Sequence, residues 1–322
     1  MSTAALRARW RSGEGVARAE GVVAFLAGAS RVVPAGVGMH EGRLDLRGLS
    51  WSSPRPVAME AVRGARVAVL EGVVELRGVV WQGLDLSHAE LPGLRFFDSR
   101  IEDCRFDGAN CADWRLWASQ VADCSFVGAK LKDASIGTWW EEKTNSWRRV
   151  VFDGADLRGA LVEACLLEDC SFGGTRVSGV DFDQVRLRRC RFSGLLREVM
   201  FEGRTLPRRA APAPLVDVDF GEALFEDVEF RGCTFEGVRL PEGVRVVPGY
   251  PGVARRGLEL LAGDESIDAR MLRGQFENDL KLPGSEDSVG VYNRRDYVAS
   301  GGEGFADFAE VVLGLRAAGS TE

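Results

Sequence analysis

The sequence has few of the side chains on which most enzymes and metal sites depend. It contains two histidines, His40 and His88, in 322 residues, and its seven cysteines include no CxxC pair. No Ser/His/Asp arrangement, GxxxxGK[ST] phosphate loop or zinc-ligand spacing is present in the sequence. We therefore expect no catalytic residue, no cofactor and no bound metal, and we predict that the protein is not an enzyme.

Long hydrophobic runs and an excess of basic charge are also missing. The longest nearly apolar run near the start, Gly21 to Ala29, has nine residues, which is too few to span a bilayer. The charged residues before it and the lack of a clear cleavage pattern argue against a secretory signal. The formal net charge is −7, whereas nonspecific nucleic-acid binding needs a basic surface. We expect a folded cytoplasmic protein that binds neither membranes nor nucleic acid directly.

The sequence does contain an apolar side chain at every fifth position from Val74 to Gly137. These positions are Leu76, Trp81, Leu86, Leu91, Phe96, Ile101, Phe106, Cys111, Leu116, Val121, Phe126, Leu131 and Ile136. A second series of mostly small residues lies two positions earlier, as at Ala89, Ala109 and Ala129. Because a period of five matches neither a helix nor a long strand, it indicates an internal repeat.

Each repeat is expected to be a short extended segment followed by a bend. Residues two apart point to the same side of an extended chain, so the large residue and its small predecessor both face inward. Gly, Asp or Asn recurs two residues after the large one, as at Gly78, Asp103 and Gly108, and these residue types favour turns. The repeated bends predict a narrow coil whose turns stack through strand pairing.

The cysteines follow the same repeat. Cys111 falls on the large series. The other six fall on the small series and are Cys104, Cys124, Cys165, Cys170, Cys190 and Cys233. Since cysteine behaves as a small hydrophobic side chain in protein cores, we interpret all seven as buried, reduced thiols.

The units CRFDG, CSFVG, ADLRG, CSFGG and CTFEG resemble the A(D/N)LXX units of pentapeptide-repeat proteins, over roughly residues 44 to 246. The resemblance implies an all-β solenoid, a right-handed quadrilateral parallel β-helix with four units in each coil. Small helical additions are expected at both ends, because the open ends of a stacked coil expose unpaired strand edges that need covering.

Three regions are predicted along the chain. Residues 1–43 form an N-terminal helical cap, with one helix or two between about Thr3 and Leu26. Residues 44–247 form the β-helix, in which Val57, Val62 and Val67 indicate imperfect repeats and insertions interrupt the coil at about 137–151 and 193–214. Residues 248–322 form an α-helical region with helices at about Asp268 to Leu280 and Phe305 to Ala317.

The first insertion contains the candidate partner-binding residues. These are Trp139, Trp140, Trp147, Arg148 and Arg149. Exposed Trp and Arg side chains together are typical of interface hot spots. The alternative is that the rings fold back over the coil. The second insertion carries Arg197, Arg204, Arg208 and Arg209, which indicate either a basic contact loop or an extended linker.

Two functional hypotheses follow. The first is a non-enzymatic scaffold that binds a protein partner of unknown identity through its loops and C-terminal region. The second rests on the resemblance, because pentapeptide-repeat proteins of the quinolone-resistance group are acidic, dimeric DNA mimics that act on type II topoisomerases. This chain shares two interruptions and an acidic array at residues 215–245, although its long terminal extensions differ. That hypothesis implies a DNA gyrase partner and a homodimer.

Overall fold

The computed structural model describes residues 1–51, 55–62, 65–140, 142–204, 214–281 and 285–316. The chain divides into two compact units, Met1–Val180 and Asp181–Glu322. The fold class is an all-β solenoid with small helical additions, as predicted from the repeat. Within the described ranges, none of the helices combines the length and the apolar character needed to cross a membrane.

The first unit begins with two helices, α1 (Thr3–Ala8) and α2 (Gly13–Leu26), and continues with short strands. In chain order the strands are β1 (Met39–His40), β2 (Arg43–Asp45), β3 (Arg55–Val62), β4 (Ala65–Glu71), β5 (Val74–Arg77), β6 (Val80–Gln82), β7 (Leu84–Asp85), β8 (Leu94–Phe97), β9 (Arg100–Glu102), β10 (Arg115–Trp117), β11 (Gln120–Ala122), β12 (Ser135–Gly137), β13 (Ser146–Arg148), β14 (Leu161–Glu163), β15 (Leu166–Glu168) and β16 (Ser171–Gly173).

Parallel pairing in the first unit gives the size of one coil. Strands β5, β8, β10, β12 and β14 follow one another in one sheet, and β6, β9, β11, β13 and β15 in another. Leu76 pairs with Phe96, and Phe96 pairs with Leu116, so paired residues are 20 apart. Twenty residues are four units of five, and each coil therefore contains four repeats.

The corners of the coil lie at the predicted turn residues. Asp98, Asp103 and Asp113 adopt positive φ values of 47°, 51° and 55°. Asp and Asn tolerate this left-handed conformation better than most residues with a side chain, because their short polar groups can hydrogen-bond locally. The bends turn each large residue into the core, where Phe106 and Phe126 stack with ring centroids 4.6 Å apart. All seven cysteines are buried.

The N-terminal segment forms two helices, which is one of the two alternatives predicted. Ser12 separates them, since its hydroxyl accepts a hydrogen bond from the Gly15 amide and caps α2. Both helices contact the first coil. The Arg9 guanidinium lies 2.7 Å from an Asp45 carboxylate oxygen, and the Trp81 indole donates to the Leu26 carbonyl at 2.9 Å.

Residues 55–71 are not the imperfect repeats predicted from Val57, Val62 and Val67. Strands β3 and β4 pair with each other in antiparallel register. The coil is continuous on both sides of this hairpin, since Ser50 pairs with Glu90 and β5 pairs with β8. The segment is rich in valine and alanine and contains one glycine but no Asp or Asn, so it lacks a turn residue every five positions, and this composition favours a long strand over a bending coil.

The second unit contains longer strands and three helices. In chain order these are β17 (Asp181–Asp183), β18 (Arg186–Arg188), β19 (Arg191–Glu202), β20 (Leu215–Val216), β21 (Asp219–Arg231), β22 (Phe235–Glu236), β23 (Val244–Val247), α3 (Tyr250–Leu260), α4 (Ile267–Leu280), β24 (Gly290–Asn293) and α5 (Arg294–Val312). Strand β19 pairs in parallel with both β17 and β21, and β18, β20 and β22 form a second parallel set.

The second interruption, predicted at 193–214, is shorter in the structure because β19 stays in the coil. Phe201 pairs with Phe230, and Leu196 pairs with Phe225. Leu196 is buried four residues after Phe192, so the repeat loses one residue here without leaving the coil. Arg208 and Arg209 lie outside the described residues.

The C-terminal segment differs from the sequence-based prediction by one helix and one strand pair. The helix predicted at about Asp268 to Leu280 is α4. The helix predicted at about Phe305 follows a kink in α5, where Gly302 has the non-helical angles φ 83° and ψ 179°, and the turns before that kink were not predicted. Ala317 lies outside the described residues. Helix α3 was not predicted. It begins at Tyr250 and continues with Pro251 and Gly252, and proline and glycine are residue types typical of a linker. Strands β23 and β24 pair in antiparallel fashion, and long-range pairing of this kind leaves no local signal.

Candidate functional site

Trp147, predicted to lie in an exposed loop, is a core residue. Its side chain is 0% exposed, and its indole donates to the Ile136 carbonyl at 2.8 Å. Trp147 pairs with Val121 on one side and with Leu167 on the other, so it occupies the large position of a repeat. The sequence holds a signal for this placement, because Trp147 lies five residues before Phe152.

The first interruption is therefore shorter than the predicted range of about 137–151. Val121 and Trp147 are 26 positions apart, whereas Trp147 and Leu167 are 20 apart, so six residues are inserted. The coil resumes at Ser146 in β13. The inserted residues follow Gly137, and a Cβ at Gly137 would lie 2.2 Å from the Glu163 carbonyl oxygen. Only glycine fits at this close approach between coils.

Arg148 and Arg149 lie on and beside β13, and both are paired with carboxylates of the coil. Arg148 is 2.7 Å from Glu168. Arg149 donates to both oxygens of Asp123, at 2.5 and 2.6 Å. The hydrogen bond from Arg149 is the main reason why the pKa of Asp123 lies below its usual value. These guanidinium groups stand on the sheet of β9, β11, β13 and β15, and the remaining tryptophans of the loop lie elsewhere.

The other sheet carries a column of aromatic rings on its outer face. Arg77, Phe97 and Trp117 each follow a large inward residue, and the strand register places them side by side on successive coils. The rings of Phe97 and Trp117 are stacked, with centroids 4.5 Å apart and planes 9° apart. The Arg77 guanidinium carbon lies 4.0 Å from the Phe97 centroid, a cation–π geometry.

Trp140 extends this column from the inserted loop. Its ring centroid is 5.5 Å from that of Phe97 and 6.1 Å from that of Trp117. We call Phe97, Trp117 and Trp140 the aromatic ladder. The loop is held in place because Trp140 and Lys143 exchange two backbone hydrogen bonds, of 3.2 and 2.8 Å, and the Lys143 ammonium donates to Asp98 at 2.8 Å.

The ladder is only partly covered. Phe97 is 8% exposed, Trp117 is half-buried and Trp140 is 36% exposed, while Trp139 next to it is half-buried. Trp140 thus contacts the rings of the coil and also remains at the surface. Phe97 and Trp117 were not predicted from the sequence. A search with a period of 20 at the position after each large residue would have found them.

Four five-residue units per coil, with the large residues inside and Asp or Gly at the corners, define the architecture. The chain has the fold of the pentapeptide-repeat proteins. No family model matches the chain, and no curated protein matches it. The fold assignment rests on the strand register described above.

Several solved pentapeptide-repeat structures are similar to parts of the chain. Full-length QnrB1, a plasmid-mediated fluoroquinolone resistance protein, is 18% identical over 52% of this chain and 94% of its own, with a TM-score of 0.25. HetL of the cyanobacterium Nostoc, involved in heterocyst differentiation regulation, is 18% identical over 53% of this chain and 84% of its own, also at 0.25. A thylakoid-lumen protein of Arabidopsis thaliana is 23% identical over 34% and 70%, at 0.15.

Four of the eight acidic side chains at residues 215–245 form ion pairs within the second unit. Glu222 lies 2.6 Å from Arg191, and Glu226 lies 2.6 Å from Arg197. Asp219 and Glu229 also form ion pairs, with Arg239 and Arg231. These pairs place basic groups among the acids of the array and so reduce its net negative charge.

The arginines of the second interruption are paired in the same way. Arg197 donates to Glu226 at 2.7 Å, and Arg204 donates to Glu202 at 2.8 Å. The Arg204 hydrogen bond to Glu202 raises the pKa of the guanidinium, which therefore stays fully charged. Both guanidinium groups bind carboxylates of their own unit, which does not support a basic contact loop at these two positions.

Proposed function

We propose that the chain is a non-enzymatic scaffold that binds a protein partner through the aromatic ladder and the loop carrying Trp139 and Trp140. The observation that carries this proposal is the stack of partly exposed rings on the outside of a coil whose other large residues point inward. Tryptophan at the centre of a patch, with charged groups around it, is the usual composition of a binding hot spot.

The ladder is rigid before a partner arrives. Phe97 and Trp117 stand on paired strands, and Trp140 is fixed by its contacts with both rings and by the Lys143–Asp98 ion pair. A surface that is already ordered loses little conformational entropy on binding, so more of the contact energy remains as affinity.

The charges around the rings indicate what kind of partner would fit. Arg77 lies at one end of the ladder and Lys143 beside Trp140, each paired with a carboxylate of the coil. A partner with an apolar centre and a polar edge that carries charges of both signs complements this arrangement. Arg148 and Arg149 are proposed as peripheral contacts. Trp147 supports the fold, because its ring is fully buried.

Affinity capture from cytoplasmic extract, followed by mass spectrometry, tests the proposal. We expect Trp140→Ala to lose a partner that the unchanged chain captures, while circular dichroism shows an intact fold. Val80→Ala is the matched control, because Val80 is 64% exposed on the neighbouring sheet. Equal capture by all three proteins would contradict a role for the ladder.

The alternative function is a DNA mimic that protects or inhibits a type II topoisomerase as a homodimer. Its support is the net charge of −7 and the acids Asp217, Glu236 and Glu242 of the third array. The ion pairs of the same array weaken it. A DNA gyrase supercoiling assay, with and without a fluoroquinolone, distinguishes the two proposals. Unchanged supercoiling at micromolar protein would remove the alternative.

A further inference from the structure

The second unit contains a cleft that the scaffold function does not use. It has a volume of about 500 Å³ and lies between β21, the first turns of α3 and α5, and the last turn of α4. Tyr250, Asp279, Asp296 and Tyr297 line it. Each of these four side chains is half-buried, so polar groups are held inside a concave surface and still reach its open space.

Two carboxylates in the cleft, Asp279 and Asp296, are held by neutral hydrogen-bond donors. Asp279 accepts a hydrogen bond from the Tyr250 hydroxyl at 2.6 Å, and Asp296 accepts one from the Asn293 amide at 2.9 Å. No lysine or arginine among the described residues forms an ion pair with either of them. Burial raises the pKa of both carboxyl groups and outweighs the nearby charges of Arg231 and Arg204 at Asp279 and of Arg295 at Asp296.

The basic groups near the cleft are already engaged. Arg231 donates to Glu229 at 2.6 Å, and Arg204 donates to Glu202 at 2.8 Å. Lys281 is exposed at the rim, where its ammonium lies 3.5 Å from the Asn278 side chain. Among the described residues, these basic groups line the cleft but form no direct ion pair with Asp279 or Asp296.

Aromatic rings stand next to these carboxylates. The Tyr297 ring lies 4.7 Å from that of Tyr292 and 5.6 Å from that of Phe305, and Tyr250 packs on Phe276 at 6.4 Å. Burial raises the pKa of Tyr297 to about 12, so its phenol is neutral at physiological pH. A neutral ring beside a carboxylate is the environment that attracts an organic cation, through the ring quadrupole and the negative charge together.

We propose that this cleft binds a small organic cation, with an amidinium, guanidinium or ammonium group on Asp279 and Asp296 and its apolar part against Tyr250 and Tyr297. The cation would form the direct ion pair that neither carboxylate makes with a described lysine or arginine. This site is separate from the aromatic ladder, and the proposal does not depend on the scaffold function.

Benzamidine and its neutral isostere benzamide form a matched pair of probes for the full chain. We expect benzamidine to bind in a calorimetric titration and benzamide to bind at least about tenfold more weakly, a difference of about 1.4 kcal/mol. Equal affinity for the two probes, or no benzamidine binding at millimolar concentration, would overturn the proposal.

Two variants place the binding within the cleft. Asp279→Asn keeps the shape of the side chain and removes its charge, and we expect a loss of about tenfold in benzamidine affinity. Glu259→Gln is the control, because Glu259 is exposed on α3 and does not line the cleft, and we expect no change. Unchanged affinity in Asp279→Asn contradicts the site.

A measurement on the unchanged chain covers the case in which Asp279→Asn does not fold. Benzamidine should shift the amide NMR signals of Tyr250, Asp279 and Tyr297 and leave those of the aromatic ladder in place. Shifts spread over the surface, or confined to another region, would overturn the proposal without any variant.

Discussion

Both units stack their coils around an inward column of apolar side chains, but the number of residues per coil is more regular in the first unit. In the first unit, paired residues of neighbouring coils are 20 apart wherever the coil is uninterrupted. In the second unit, Phe182 and Phe201 pair at a distance of 19 residues, and Phe201 and Phe230 at a distance of 29. The inward column is nevertheless kept, because these three rings stack at 4.9 and 4.8 Å. The core column therefore tolerates changes in coil length that occur elsewhere in the coil.

Corner residues explain this tolerance. Gly194 and Glu198 have positive φ values of 82° and 53° within β19, and Asp227 has 52° within β21. Leu196, between the first two, remains buried. Where a corner residue can adopt a left-handed conformation, the chain bends at that point whether four or five residues separate the large side chains. The positions of the bends determine the shape of the coil, and the apolar side chains fill its interior.

The largest expected effect tests whether the inward columns of aromatic rings in the first and second units are equally well packed. Phe126 and Phe201 each contact four aromatic rings of their own unit. We expect Phe126→Ala and Phe201→Ala each to lower the free energy of unfolding by about 3 to 5 kcal/mol, as for other buried phenylalanines. Urea denaturation measures both. A loss in Phe201→Ala smaller by more than about 1 kcal/mol would show looser packing in the second unit.

The next effect concerns how the first unit accommodates its six inserted residues. Gly137→Ala places a Cβ against the Glu163 carbonyl, and we expect a loss of about 1 to 3 kcal/mol, as for other overpacked positions. Gly128→Ala is the control, because Gly128 has a φ of +62° but open space around it, and about 1 kcal/mol is expected from backbone strain alone. Equal losses of stability in thermal unfolding would mean that the backbone of this coil relaxes around the added Cβ. The first unit would then tolerate local change as readily as the second unit tolerates changes in coil length.

The smallest expected effect is on the pH dependence of stability. It concerns first a paired carboxylate of the first unit. Burial raises the pKa of Asp45, but hydrogen bonds from Arg47 and Arg9 outweigh this and hold it well below its usual range. A lowered folded pKa stabilises the fold above the unfolded value of about 4, and this contribution is lost as the pH falls through the folded pKa. We expect Asp45→Asn to cost about 1 kcal/mol at pH 7 and progressively less below about pH 4.

The cleft of the second unit should show the opposite sign. Burial is the main cause that raises the pKa of Asp279. The groups that face it are Tyr250 on α3, Tyr297 on α5, Glu229 and Arg231 on β21, and Arg204 after β19. A raised folded pKa favours folding while the carboxyl is protonated, and this contribution is lost as the pH rises above about 4.

We therefore expect Asp279→Asn to be more stable than the unchanged chain at pH 7, by less than about 1 kcal/mol, and equal to it near pH 4. Melting temperatures at the two pH values measure this for both variants. If Asp45→Asn and Asp279→Asn shifted the melting temperature in the same direction at pH 7, the contrast between the carboxylates of the two units would fail.

The sequence predicted the features that depend on local spacing. The period of five located the inward column and the corners, and it predicted that the cysteines are buried. Trp147 was misplaced because the repeat was predicted to resume at Phe152, one five-residue unit too late. The hairpin β3–β4 was missed because Val57, Val62 and Val67 keep the spacing of five and were interpreted as imperfect repeats.

The candidate sites were harder to predict because their residues meet only after folding. Phe97 and Trp117 are four units apart in sequence, and only the stacking of coils places their rings 4.5 Å apart. The cleft unites Tyr250, Asp279 and Tyr297 from three separate helices. A composition-based search finds a tryptophan-rich loop, but it cannot find which rings of the coil that loop contacts.

The buried cysteines give the coil a chemical property of its own. Burial raises the pKa of Cys111 well above its usual value in the first unit, and that of Cys233 to about 12 in the second. A thiol reacts as the thiolate, so both side chains are inert toward alkylating reagents while the coil is closed. Each thiol becomes reactive only when its own coil opens. The rate of alkylation at each cysteine therefore measures how often that part of the solenoid opens locally.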